Sequence, residues 1–164
     1  MPESEQNLSG GRYRLIPRTL IFLRRGSEYL LIKGSPLKGT WGGKYNGVGG
    51  HIERGEDLMV AAQRELAEET GLRAVLSLCG VLIVDAGETG ILLFIFLGEK
   101  PTGSIKASVE GQPEWIPIDQ VSRLPIVEDL PLIMSKIHGM KVGDYPFIGK
   151  SFYDVDNTLR VAFD

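Results

Sequence analysis

Gly50 to Leu72 reads GHIERGEDLMVAAQRELAEETGL, and the rest of the chain is organised around that stretch. Gly50 is followed after five residues by Glu56, and after seven more by Arg64-Glu65-Leu66-Ala67-Glu68-Glu69-Thr70-Gly71-Leu72. From Asp57 to Thr70 the composition is dominated by Leu, Met, Ala, Gln, Arg and Glu, whose side chains lose little rotamer freedom in a helix. Asp57 falls in the positive first turn and Gly71 suits a C-terminal stop, so the stretch predicts a helix. At about 100° per residue, Glu65, Glu68 and Glu69 project within an arc of roughly 100°. Beside them Leu58, Met59, Ala62 and Leu66 form the stripe expected to be buried, which leaves the carboxylates half buried. Three such acids repel and raise one another's pKa unless a cation neutralises them, and oxygen-only ligands suit Mg²⁺ or Mn²⁺. The alternative is a solvated acidic helix laced by i,i+4 ion pairs.

The chain has 164 residues, 43% hydrophobic and 24% charged, the size and mix of one compact domain with a sizeable core. Residues 1–11 are polar, without a basic start followed by an apolar stretch, and read as a flexible tail ahead of a single domain over 12–164. A net charge of −3 gives no reason to expect attraction to nucleic acid or to an anionic membrane. Cys79 is the only cysteine, which excludes an intrachain disulfide and a CxxC motif and fits a cytoplasmic setting. The longest apolar run, Ile91 to Leu97, is too short to span a bilayer and matches a buried strand, so no membrane partner is expected.

Around the helix the pattern is mostly β. Arg18–Leu23 and Tyr29–Lys33 flank a turn at Arg25-Gly26-Ser27-Glu28, and Ala74–Val84 and Ile91–Gly98 make a second hairpin. Glu114–Ile118 reads as a strand, Pro131 opens a short helix ending at Gly139, and Phe147–Val155 with Thr158–Phe163 closes the chain as a hairpin. The stretch 34–50 is glycine-rich, either a loop that lets backbone approach a phosphate or a merely tortuous one.

The nine specified positions of G-x5-E-x7-R-E-U-x-E-E-x-G-U, with U a bulky aliphatic, are all present. A random match is expected on the order of once per billion start positions at average composition. This is the signature of the Nudix family of hydrolases acting on nucleoside diphosphates linked to another group, and the chain resembles that family. Tyr45-Asn46-Gly47-Val48-Gly49-Gly50 resembles the entry segment of MutT-like and oxidised-purine triphosphatase members. Further likeness lies in Glu110-Gly111-Gln112-Pro113-Glu114-Trp115, in Asp119-Gln120 and, more faintly, in the last twenty residues.

The resemblance implies an α/β fold, an α/β/α sandwich around a mixed central β-sheet. It implies metal-assisted attack of water on phosphorus, giving nucleoside monophosphate and pyrophosphate in MutT-like members. Position by position, Glu65, Glu68 and Glu69 correspond to metal ligands, with Glu65 also a candidate base. Gly50 would offer its carbonyl, Arg64 would orient Glu65, and Glu56 would support them; the plain alternative for Arg64 and Glu56 is a surface ion pair. Glu110 corresponds to a further metal-site or base carboxylate, or else is an exposed loop acid. Asn46 corresponds to the purine-reading amide, or is a turn residue before Gly47. Its carboxylate partner is Asp129 by counting from Trp115, or Glu128 if the register slips by one. Lys33, Lys38 and Lys44 are candidates to meet phosphate oxygens, and His51 and His138 read as structural.

The expected partner is thus a small nucleotide, the cofactor Mg²⁺ with Mn²⁺ as substitute, and the assembly a monomer or homodimer. The stretch after Leu72 lacks the Pro and Tyr that similar ADP-ribose and dinucleoside enzymes show, which favours triphosphates. ADP-ribose, a dinucleoside polyphosphate or a capped end is the alternative substrate. A nucleotide sensor without catalysis is the reading from another class.

Overall fold

The computed structural model describes Gln6 and residues 11–36, 39–141 and 143–164. Apart from Gln6 and Gly11, the expected N-terminal tail lies outside the described residues, as does Lys38.

Helix α1 runs Leu58–Thr70, where its sequence calls for it. Asp57 caps it, one carboxylate oxygen accepting from the N–H groups of Met59 at 2.9 Å and Val60 at 3.0 Å. Gly71 ends it in the left-handed conformation, φ 73°, which a Cβ would oppose. The buried residues are Ala61, Ala62, Leu66, Glu69 and Thr70, so the face sits further round than the expected stripe. Met59, assigned to that stripe, is 42% exposed because it lies in the first turn, ahead of the small pair Ala61-Ala62 that meets the sheet.

The strands are β1 (Arg14–Arg25), β2 (Glu28–Gly34), β3 (Tyr45–Asn46), β4 (Leu72–Val84), β5 (Thr89–Gly103), β6 (Gly111–Pro117), β7 (Phe147–Tyr153) and β8 (Leu159–Phe163). Helix α2 spans Leu130–His138, and 3₁₀ turns occupy Gly39–Trp41 and Ile118–Arg123. The sheet is ordered β3-β2-β1-β5-β4-β7-β8, with β6 on the outer edge of β2. Pairs β1–β5 and β4–β7 are parallel and the others antiparallel, which gives the mixed sheet expected. Strand β1 starts earlier than its apolar core suggests. Its largely exposed start continues the ladder on β5, from Arg14 beside Thr89 to Leu23 beside Gly98.

The alternation of β1 divides the core. Leu20 and Phe22 join Ile133, Met134 and Ile137 of α2 on one face, while Ile21 and Leu23 join Ala62 and Leu66 of α1 on the other. The sheet is therefore sandwiched between the two helices, the α/β/α arrangement. Cys79 is buried in β4, its thiol donating to the Ile95 carbonyl at 3.4 Å, and burial pushes it up to about 12. Among the described residues no helix is long and apolar enough to cross a membrane.

Candidate active site

Helix α1 lays its acids against the segment that follows β3. The Gly49 N–H donates to Glu69 Oε2 at 2.9 Å, and Glu69 is 7% exposed. Gly49 has φ 149°, and a Cβ there would fall 2.1 Å from the Thr19 carbonyl oxygen. Gly50 is required for space: a Cβ would stand 2.5 Å from Glu65 Oε1. The Gly50 carbonyl accepts from the Thr19 N–H at 2.8 Å, which leaves its second lone pair.

Arg64 ties the rest together. Its Nε and Nη2 donate to the two oxygens of Glu56 at 2.6 and 2.9 Å, its Nη1 to Glu65 at 2.9 Å and Glu68 at 3.2 Å, and Nη2 also to the His51 carbonyl at 3.0 Å. Glu56 further accepts from the Glu53 N–H at 2.9 Å. The guanidinium first, and that N–H second, hold the Glu56 carboxyl down at about 2. Its acidic neighbours push the Arg64 pKa up. The acids are not uniformly half buried: the Glu65 side chain is 13% exposed and that of Glu68 62%.

At the other end of the segment, the Asn46 side-chain oxygen accepts from the Gly47 N–H at 2.8 Å, the turn geometry weighed for it above. Tyr45 donates its N–H to the Pro125 carbonyl at 2.7 Å and accepts from the Val127 N–H at 3.1 Å, which carries residues 125–129 alongside β3. Asp129 precedes α2 without capping it, and burial, aided by the Glu128 charge, raises its carboxyl pKa. Glu128 is exposed and accepts from the Tyr153 hydroxyl at 3.0 Å. Lys33 is exposed, with Nζ 5.7 Å from the centre of the Tyr45 ring, and Lys44 is exposed. Glu110 lies in the turn before β6, its carbonyl accepting from the Ser35 N–H at 2.9 Å beside the glycine-rich loop.

The NUDIX domain family matches residues 14–136, most of the chain and all of the α1 cluster. The chain belongs to the Nudix hydrolase family. Relatives of this Nudix hydrolase include the oxidized purine nucleoside triphosphate hydrolase of Danio rerio, 33% identical over 106 residues, or 63% of this chain and 67% of the relative. The protein of the same name from Mus musculus is 30% identical over 125 residues, 72% of this chain and 79% of the relative. The crystal structure of the mutator MutT protein from Bacillus halodurans superposes with TM-score 0.76 and 26% identity, covering 92% of this chain and 98% of that one.

Nudix hydrolases generally use a divalent metal. Among the described residues no three His, Cys, Asp or Glu side chains are grouped as a metal cage. Arg64 engages Glu65 and Glu68, and the Gly49 amide engages Glu69. The donor chemistry nonetheless fits a hard cation. It consists of carboxylate and carbonyl oxygens, and the missing Cβ of Gly50 lets backbone and Glu65 meet.

Three contacts near the site escaped sequence reasoning: Tyr45 to Glu114 (2.8 Å), Tyr153 to Glu128, and Arg18 to His51. The residues of each pair lie far apart in sequence and meet only through the tertiary fold. No local pattern in the sequence pairs them.

Proposed function

We propose that this Nudix hydrolase cleaves (deoxy)nucleoside triphosphates, oxidised purine ones among them, to nucleoside monophosphate and pyrophosphate with Mg²⁺, for which Mn²⁺ substitutes. The observation that carries this reading is the continuous segment Asn46–Gly50. One end is joined through Tyr45 to the segment leading to Asp129, and the other packs on Glu65 and Glu69. A nucleotide lying along it would have its base at the amide and carboxyl groups and its phosphates at the acids. The names of the Danio rerio and Mus musculus relatives support the same substrate class.

Glu65, Glu68, Glu69 and the Gly50 carbonyl would hold the metal, with Glu110 as a further carboxylate. When bound, it supplies acidification of the attacking water and offsets charge on the phosphoryl oxygens. Glu65 takes the water proton on a carboxylate oxygen, the water oxygen bonds to phosphorus, and the anhydride bond between the α and β phosphoryl groups breaks. The pair of electrons leaves on the departing phosphate oxygen. Arg64, held from the far side by Glu56, fixes the carboxylate of Glu65 for that transfer. Asp129, whose carboxyl pKa burial raises, would meet the purine edge together with Asn46, whose amide can both donate and accept. Glu128 is the alternative carboxylate, and Lys33 a candidate for the phosphate tail.

The test is a release assay for pyrophosphate and phosphate over ordinary and oxidised nucleoside triphosphates, ADP-ribose and dinucleotides, with Mg²⁺ and then Mn²⁺. Pyrophosphate from purine triphosphates is expected. Turnover confined to ADP-ribose or dinucleotides overturns the substrate assignment, and binding without any turnover points to a sensor.

A further inference from the structure

Glu128 and Asp129 stand side by side ahead of α2, and the fold treats them differently. Glu128 is exposed, and one of its oxygens accepts from the Tyr153 hydroxyl at 3.0 Å. Asp129 is half buried and makes no capping bond to α2, although it occupies the N-cap position. Two local features account for this. Pro131 stands at the second position of the helix and has no N–H to give, and Asp129 is itself helical, φ −83° and ψ −16°, where a capping residue is normally extended. The Asp129 carboxyl is therefore not consumed by the helix that follows it, and burial raises its pKa.

Tyr153 comes to this pair from β7. Alternation along that strand places Phe147, Ser151 and Tyr153 on one face, and Phe147 packs in the core beneath α2. Val127 and Leu130, which bracket the two acids, belong to the same core, so ring and acids share one side of the sheet. There half-buried Val84 and Val161 flank Ser151 from the neighbouring strands, next to Tyr153. Apolar side chains beside a few polar groups suit a heteroaromatic base, whose faces are apolar and whose edge hydrogen-bonds. The bond to Glu128 first, then burial and the charges of Glu128 and Asp129, raise the Tyr153 pKa, so the Asp129 carboxyl also lies close to the hydroxyl. A hydroxyl has one proton to donate, and here Glu128 receives it.

We propose that Tyr153 is a positioning residue for base recognition: by holding Glu128, it leaves Asp129 as the carboxyl that reads the purine edge. This rests on the nucleotide reading above and decides between its two acids. Tied to Tyr153, Glu128 already has a donor. Released, it is a second carboxylate that competes for the same donors of the base.

The test reads a ratio, kcat/KM for the best over the worst of guanosine, inosine and adenosine triphosphates, which the fraction of molecules that fold does not alter. Asp129→Asn should compress that ratio about tenfold, the scale of one hydrogen bond to a charged group. Glu128→Ala should leave it in place. Tyr153→Phe, which keeps the ring and removes only the hydroxyl, should compress it by freeing Glu128, and adding Glu128→Ala to Tyr153→Phe should restore it. A merely structural tyrosine would not be rescued by deleting its partner. Compression in Glu128→Ala, none in Asp129→Asn, none in Tyr153→Phe, or a double variant as compressed as Tyr153→Phe overturns the proposal, as does an unaltered enzyme that treats the three bases alike. Absence of turnover of every triphosphate with Mg²⁺ and with Mn²⁺ overturns the nucleotide reading itself, and this inference with it.

Discussion

Glu65 is held by Arg64 at one oxygen and packed against the bare α-carbon of Gly50, so its carboxylate is placed before any ligand arrives. Glu65→Gln keeps shape and removes the proton acceptor, and kcat should fall at least ~10²-fold with the melting temperature little changed. A variant turning over its best substrate at the original rate would remove Glu65 from the role of base. Gly50→Ala separates space from charge. The three atoms nearest the new methyl all belong to the Glu65 carboxylate, so the methyl should push that group off Arg64 and lower turnover more than stability, measured by melting and steady-state rates on the same preparation. Glu56 gives a pH signature. Its folded pKa of about 2 lies below the ordinary 4.5, so its contribution to stability is full above 4.5 and is lost as pH falls toward 2. Urea midpoints followed across that window should decline less in Glu56→Gln than in the parent. Of these residues the acids and Arg64 were legible in the sequence because their spacing on a helix is rigid. The turn bond of Asn46 to Gly47 was one of two readings open there, and the bond of Arg18 to His51 was not legible, since it depends on how one strand bridge is placed.

The start and stop of helix α1 were readable nearly to the residue because they are encoded locally, in Asp57 and in Gly71, while its face was read only in part, at Ala62 and Leu66. Asp57→Ala should lower stability by about 1 kcal/mol, the usual value of an N-cap, read from denaturant midpoints. Gly49→Ala belongs to a harsher class, for its Cβ would collide with the Thr19 backbone and its φ suits glycine. It should unfold the chain at temperatures where Gly50→Ala remains native, and equal melting of the two would contradict the packing described for this segment. The length of β1 was not readable, because its largely exposed N-terminal half, interrupted by Pro17, is a strand through its parallel ladder with β5. The bond of Tyr153 to Glu128 gave no sign in sequence either, since Glu128 lies across the fold, ahead of α2.

At the scale of the whole molecule, a cation bound by the α1 acids of the native state alone should raise the melting temperature in proportion to the logarithm of its concentration, and chelator should reverse the rise. Asn46→Ala should narrow the preference for a purine over a pyrimidine triphosphate in kcat/KM, since triphosphate and metal bind every base alike. A uniform fall across bases would leave Asn46 as a turn residue. The mixed sheet was legible from its hairpins and the two helices set among them. The order of its strands was not, because the parallel pairs β1–β5 and β4–β7 join segments with no local signal for each other. That order has a practical result. Cys79 sits in the middle of β4, between β5 and β7, its thiol bonded inward and its pKa about 12. A disulfide reagent at neutral pH meets neither a thiolate nor an open path, so it should modify only molecules whose sheet has parted there. The labelling rate then becomes a clock for the opening of the molecule's centre, with no probe to engineer, and any ligand that slows it has gripped the fold as a whole.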